Sequence, residues 1–266
     1  MLGIPLCTVI GTVAGAASMT RRIAILNNNT DTSAFAKRFV DDGEKTAAGL
    51  LAQRPDWHFE VWQAHEGRLP PDPDAYAGWV LTGSVASVND DAPWIHRLAD
   101  LVRRLHRRRV PLVGLCFGHQ MVAHALGGRV GPSPGGWRIG SAVTRYRDDA
   151  CAALPWMRPA QASITLFAAH REQVLQPPAE ATVLGGDDFA PAAALCIGDH
   201  VFTTQYHPEL SRMFMRALLD EHGALWPAPL VAQARAQVEA PVDAERFMRW
   251  AVQFLEHSST DDPDGP

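Results

Sequence analysis

Beyond residue 19 the sequence alternates between short apolar runs of β type and longer amphipathic stretches. That rhythm leaves few architectures open. Short buried runs and one-sided helices satisfy each other when helices cover a parallel sheet. Arg22–Leu26, His58–Gln63, Gly78–Thr82 and the wholly apolar Pro111–Leu115 are predicted strands. Ser33–Gln53 and Pro93–His106 are predicted helices, the second opened by Asp91 as cap and Pro93 in its first turn. A helix beginning near His119 is ended by Gly127 and Gly128. The spacing then becomes β-rich, at Arg138–Tyr146, Ser163–Ala168, Ala193–Ile197 and Val201–Gln205, as expected of sheet extensions and hairpins. Helices are expected again at Ser211–His222 and Pro241–His257. The predicted class is α/β, with a mostly parallel central sheet and added antiparallel strands.

Composition removes several functions. A net charge of -5 leaves no footprint for a polyanion, so nucleic acid is not an expected partner. Cys7, Cys116, Cys151 and Cys196 form no CxxC pair or repeated spacing, and the histidines form no HExxH pattern. Neither a disulfide framework nor a metal site is expected, no cofactor is called for, and a reducing cytoplasm fits best. The apolar extension at 1–19 carries no Lys or Arg before its apolar part, which a secretory signal needs, and is short for a membrane span. Met19 opens MTRRIAILNNN, which reads as a natural start running into the first strand, so residues 1–19 are taken as a mis-called start. One domain is expected over 20–257, followed by a polar, disordered tail at 258–266.

The segment richest in chemistry is Pro111–Gly128, PLVGLCFGHQMVAHALGG. A buried strand, Gly-x-Cys-x-Gly and a helix form a nucleophile elbow, in which Gly114 and Gly118 give the tight turn its room. Cys116 then sits at a helix N-terminus, where unpaired N–H groups and the helix dipole favour thiolate over thiol. Cysteine is also among the most buried residue types, so the elbow alone does not decide between reactivity and packing. A thiolate nucleophile needs a base. Val201–Glu209, VFTTQYHPE, is a strand emptying into His-Pro-Glu. His207 as base and Glu209 as its orienting partner complete the nucleophile, base and orienter set of a catalytic triad.

GLCFGHQ together with QYHPE resembles the class I, or triad-type, glutamine amidotransferases, over about residues 22–220. The resemblance implies a flavodoxin-like three-layer sandwich and a thioester between Cys116 and a γ-glutamyl group, with Cys116, His207 and Glu209 as the triad. It also implies an oxyanion-hole loop at Leu81-Thr82-Gly83-Ser84, giving the N–H of Gly83 or Ser84 and the N–H of Phe117 as donors. Many members have Gly-Gly-Pro where this chain has Thr-Gly-Ser. That loop, with CFGHQ and GGWRIG (Gly135 to Gly140), is more similar to freestanding members that resemble the GMP synthase glutaminase domain and include the γ-glutamyl peptidases. Ala169 to Val174 falls where relatives have Ser-His-x-Asp-x-Val, with Ala for Ser and Glu for Asp, and His170 there either shapes the substrate pocket or is a structural histidine at a strand end. Gln120 either holds the substrate's amino-acid end or braces the elbow, and Trp137 is a candidate pocket wall.

Three functions follow from these residues. The first is a glutaminase that delivers ammonia to a separate synthase subunit. The second is a freestanding γ-glutamyl peptidase or hydrolase whose partner is only its small-molecule substrate. The third, a non-enzymatic binding relative, is opposed by the intact Cys116, His207 and Glu209. The arginines at 103, 104, 107, 108 and 109 close a helix, where positive charge complements the dipole, and read as a solvated face.

Overall fold

The computed structural model describes residues 8–10 and 21–258. In chain order the elements are β1 (Thr8–Ile10), β2 (Arg22–Asn27), α1 (Asp42–Leu51), β3 (His58–Gln63), β4 (Gly78–Leu81), α2 (Pro93–Arg107), β5 (Leu112–Leu115) and α3 (Phe117–Ala125). There follow β6 (Arg129–Pro132), β7 (Arg138–Tyr146), the short α4 (Asp148–Cys151), β8 (Ser163–His170), β9 (Glu172–Gln176), β10 (Thr182–Gly186), β11 (Ala194–Ile197) and β12 (Val201–Thr204). Helices α5 (Arg212–His222), α6 (Ala228–Val238) and α7 (Ala244–His257) close the described chain.

Ten strands form one sheet in the order β1-β3-β2-β4-β5-β12-β11-β10-β7-β8. The five from β3 to β12 are parallel, and counted along the chain they stand 2-1-3-4-5, the flavodoxin order. The flanking strands pair antiparallel. β6 and β9 make a separate two-stranded sheet.

The alternation of side chains along each parallel strand explains the three layers. Ile23, Ile25, Val80, Val113 and Leu115 face one apolar cluster, shared with Trp250, Phe254 and Leu255 of α7. Ala24, Leu26, Leu81 and Leu112 face the other, shared with Leu98 and Val102 of α2 and Met121 and Val122 of α3. β5 is apolar throughout because it is buried on both faces. A third cluster joins α5 and α6 to β7 and β8 through Met215, Leu219, Ala234, Ile139 and Phe167.

The helix expected over Ser33–Gln53 starts only at Asp42. Ser33 donates its N–H to Asp31 Oδ1 and accepts from Ala36 N at its own Oγ, and these local bonds compete with a continuous helix. Phe39 is extended, its ring 5.1 Å from that of Phe214, and Asp41 caps α1 by accepting from Glu44 N at 2.8 Å. Asp91 is not the cap of α2. Ala92 holds that position, and the Asp91 carboxylate lies 2.8 Å from His96 Nε2 instead. The helix after the elbow begins at Phe117 rather than near His119. The one expected over Pro241–His257 begins at Ala244, and β1, α4, β6, β9, β10 and α6 are not among the expected elements.

Within the apolar extension at 1–19, Thr8–Ile10 forms β1 against β3, and the rest lies outside the described residues. Of the expected tail only Ser258 is described, and its Oγ closes α7 on Phe254 O at 2.9 Å. Among the described residues no helix is long and apolar enough to cross a membrane, and no group of three or more His, Cys, Asp or Glu is placed to hold a metal ion.

Candidate active site

β4, β5 and β12 lie side by side and deliver Gly83, Cys116 and His207 from their carboxyl ends. Open α/β sheets commonly bind ligands at this edge. Cys116 takes φ 48° and ψ −100°, left-handed backbone that costs a non-glycine residue on the order of 1–3 kcal/mol. It is held there by its N–H on Thr204 O at 2.9 Å and by its carbonyl, which accepts from Gln120 N at 3.0 Å. The two glycines of the elbow are demanded by close backbone approach. A Cβ on Gly114 would lie 2.8 Å from the carbonyl of Gly118, and one on Gly118 would lie 2.4 Å from Leu81 O.

Past β12 the chain bends so that His207 donates its N–H to Phe167 O of β8 at 2.8 Å. His207 Nδ1 is 2.6 Å from Glu209 Oε1, and the Glu209 side chain is wholly buried. The other ring nitrogen, Nε2, is buried and has no hydrogen-bond partner among the described residues. Burial disfavours the imidazolium, but the neighbouring Cys116 and Glu209 outweigh it and raise the His207 pKa well above its ordinary value. A methyl placed on Gly83 would sit 2.9 Å from His207 Cε1 and 3.7 Å from Cys116 Cβ, so the three residues surround one point.

Over Cys116 opens a cavity of about 300 Å³, whose walls include Ser84, Gln120, Trp137 and His170. Phe117 contributes no side chain, because its buried ring stacks on Trp94 at 5.5 Å. Gln120 Nε2 spends both of its hydrogens within the protein, on Glu172 O at 2.7 Å and Gln205 Oε1 at 3.3 Å. Gln120 thus braces the Glu172 backbone and Gln205 while it also lines the cavity. Trp137 stands 39% exposed at the cavity, edge-on to Trp226. A larger cavity, about 420 Å³, opens beside Phe35, Lys45 and Phe214, but Cys116 is not in its wall.

Some contacts had no sequence signal beyond the motif that contains them. Gln205 Nε2 points at Cys116 Sγ across 3.7 Å. Glu172 lines the cavity and accepts from Ser87 Oγ at 2.7 Å. Asn28, just past β2, donates to Thr82 twice. Such pairings depend on which strands become neighbours, and only the folded sheet supplies that.

Two buried imidazoles flank the site. His119 is bonded to Thr203 Oγ1 at 2.8 Å, and His170 through Nδ1 to Glu172 O at 3.0 Å. Burial pushes His119 down to about 3 and His170 down to about 4. In the unfolded chain both return to about 6.5. Their contribution to stability is therefore complete above that value and is lost as pH falls toward 3, because only the unfolded chain takes up the protons. Each imidazole is expected to cost ~1.4 kcal/mol per pH unit in that window. Urea midpoints measured between pH 7 and pH 4 should fall accordingly, and a flat profile would refute this burial account.

Residues 57–218, more than half of the chain, match the family model described as glutamine amidotransferase class-I. The chain belongs to that family. It is 27% identical over 188 residues to γ-glutamyl peptidase 2 of Arabidopsis thaliana, covering 70% of each protein. It is 32% identical over 157 residues to the glutamine-hydrolysing GMP synthase of Aeropyrum pernix, covering 58% of this chain and 28% of that one. Among solved structures, a glutamine amidotransferase from Methylobacillus flagellatus superposes with a TM-score of 0.68 at 23% identity, over 90% of this chain and 94% of the other. That likeness establishes the flavodoxin-like α/β fold.

Proposed function

We propose that this protein is a cysteine-dependent γ-glutamyl amide hydrolase, with residues 20–257 as its working unit and a γ-glutamyl compound larger than glutamine as its preferred substrate. The observation that carries the reading is a strained elbow cysteine in the cavity wall with a buried His207–Glu209 pair beside it, His207 and Cys116 both closing on Gly83. Cys116 Sγ attacks the γ-carbonyl carbon, and its proton goes to His207 Nε2, the nitrogen that Glu209 leaves free. The carbonyl oxygen becomes an oxyanion, for which the N–H of Phe117 and of the Gly83–Ser84 loop are the candidate donors. His207 then returns the proton to the leaving nitrogen as the C–N bond breaks, leaving a γ-glutamyl thioester. Water attacks the thioester carbon, His207 accepts its proton, and glutamate leaves as the thiol is restored.

Arg171 and Glu172 put one positive and one negative charge on the cavity wall, opposite in sign to an α-carboxylate and an α-ammonium. Val85, 71% exposed, and Trp137 add apolar surface to the same cavity, for which glutamine, with nothing beyond its γ-amide nitrogen, has no matching group. This rim, together with similarity to a γ-glutamyl peptidase over 70% of that protein, supports the peptidase reading. Trp137→Ala should raise KM for γ-glutamyl dipeptides with apolar second residues by about tenfold, the loss of ~1.4 kcal/mol of contact, and change KM for glutamine far less. An equal change for both would remove Trp137 from substrate selection.

The deciding assay is glutamate release by the purified protein from L-glutamine and from a panel of γ-glutamyl dipeptides, with Cys116→Ser as control. Faster turnover of dipeptides is expected. Turnover of glutamine alone would identify a glutaminase and direct the search to a synthase partner.

A further inference from the structure

The geometry points to Thr82 as a positioning residue that fixes the Gly83–Ser84 peptide with its N–H facing Cys116, so that the oxyanion site is formed before substrate arrives. This rests on the hydrolase reading above. The hydroxyl of Thr82 has one hydrogen to give and two lone pairs to receive. Asn28 N, which can only donate, lies 3.0 Å from Thr82 Oγ1. Gly83 O, which can only accept, lies 3.1 Å from the same oxygen. The direction of both bonds is therefore forced: Thr82 receives from Asn28 and gives to Gly83.

That second bond sets the orientation of a whole peptide unit. The Gly83–Ser84 peptide is trans, since the one cis bond among the described residues is Arg158–Pro159. In a planar trans unit the Ser84 N–H points opposite to the Gly83 carbonyl. The carbonyl is held on the side of Asn28, which follows β2, and β4 stands between β2 and β5 in the sheet. The N–H consequently faces the side of β5, where Cys116 stands, and Ser84 shares its cavity. No hydrogen-bond partner of the Ser84 N–H is found among the described residues.

Thr82 itself has little freedom. Its N–H bonds Leu26 O at 3.1 Å, and its carbonyl accepts from Gly118 N at 3.2 Å and Asn28 Nδ2 at 3.1 Å. The loop is thus tied to the strand before it and to the helix that follows Cys116. Among the described residues no other hydrogen bond holds the Gly83 carbonyl on its present side. Without the hydroxyl the peptide becomes free to turn its carbonyl, rather than its N–H, toward the oxyanion.

Thr82→Val, which keeps the shape and removes the hydroxyl, tests this. Loss of one oxyanion donor typically lowers kcat by about 10²- to 10³-fold, and that fall is expected with KM little changed. Thr82→Ser should restore most of it. Alkylation of Cys116 by iodoacetamide passes through no oxyanion, so its rate should be the same in Thr82→Val as in the wild type. If Thr82→Val does not fold, Thr82→Ala removes the hydroxyl without adding volume. A Thr82→Val kcat within threefold of wild type, or an alkylation rate that falls in parallel with kcat, would overturn the proposal. If the wild type itself releases glutamate from no γ-glutamyl compound, the hydrolase reading fails. Crystal structures of wild type and variant then decide the positioning claim alone: a Gly83–Ser84 peptide unchanged in the variant overturns it, and a turned one supports it.

Discussion

Cys116→Ala is expected to abolish glutamate release from every γ-glutamyl substrate while leaving the thermal unfolding midpoint close to that of the wild type. The side chain lost is small, and the contacts of its Sγ, with His207 and the long 3.7 Å approach of Gln205 Nε2, serve the site rather than the core. Chemistry, by contrast, loses the atom proposed to form the thioester. Retained turnover in this variant would sink the mechanism. His207→Ala should be almost as severe in kcat, and Glu209→Ala less so, because the orienting carboxylate refines a base that survives its loss. In a comparable triad, removal of the base costs on the order of 10⁶ in kcat and removal of the carboxylate on the order of 10⁴. The two variants also differ in stability. His207→Ala leaves Glu209, wholly buried, without its 2.6 Å partner, and an unpaired buried charge destabilises by about 3–5 kcal/mol. Activity of His207→Ala therefore has to be read on the folded fraction. If Glu209→Ala proves the more damaging in kcat, the base and orienter have been assigned in the wrong order.

The second large effect is structural. In Gly118→Ala the new methyl would lie 2.4 Å from Leu81 O and 2.7 Å from Leu81 Cβ. Both belong to a central strand that cannot swing aside as a surface side chain would. Overpacking of this kind costs about 1–3 kcal/mol or more, and whatever relaxation occurs must shift either β4 or the start of α3. Each movement displaces the Cys116 elbow or the Gly83 loop, so activity should fall further than stability does. Gly136→Ala is the matched control. Gly136 has φ +79° but nothing within 4 Å of an added Cβ, so the expected cost is the ~1–2 kcal/mol of left-handed backbone, with activity kept. The two stability costs overlap in size, so activity is the readout that should separate the variants, and a Gly118→Ala protein as active as Gly136→Ala would mean that the close approach at Gly118 is not tight.

The parallel half of the fold was legible in the sequence because its physics is local. Leu112–Leu115 is apolar throughout since both faces of β5 are covered, and the expected bounds of His58–Gln63 are the observed ones, as are those of the antiparallel Arg138–Tyr146. The region over 33–53 misled because Phe35 and Phe39 fit a helical period, whereas their rings serve a contact with Phe214 that no local window contains. α6 was missed for the converse reason. It buries only Ala234 and Val238, and prolines at 227 and 229 blur its start. At the site, the Cys116 elbow and the His207–Glu209 pair were visible as short motifs with a chemical rationale. The support beneath them was not. Gln205 on Cys116, Gln120 on Gln205 and Asn28 on Thr82 link residues far apart in sequence, and each requires the strand order to be known first.

Cys116 is proposed to carry the γ-glutamyl group. The most direct test is to mix the protein with a γ-glutamyl dipeptide, quench in acid within one turnover, and map the digested chain by mass spectrometry. A γ-glutamyl adduct is expected on the peptide containing Cys116 and is absent from Cys116→Ala. Glutamate release with no adduct on Cys116, or with an adduct on another residue, would contradict it.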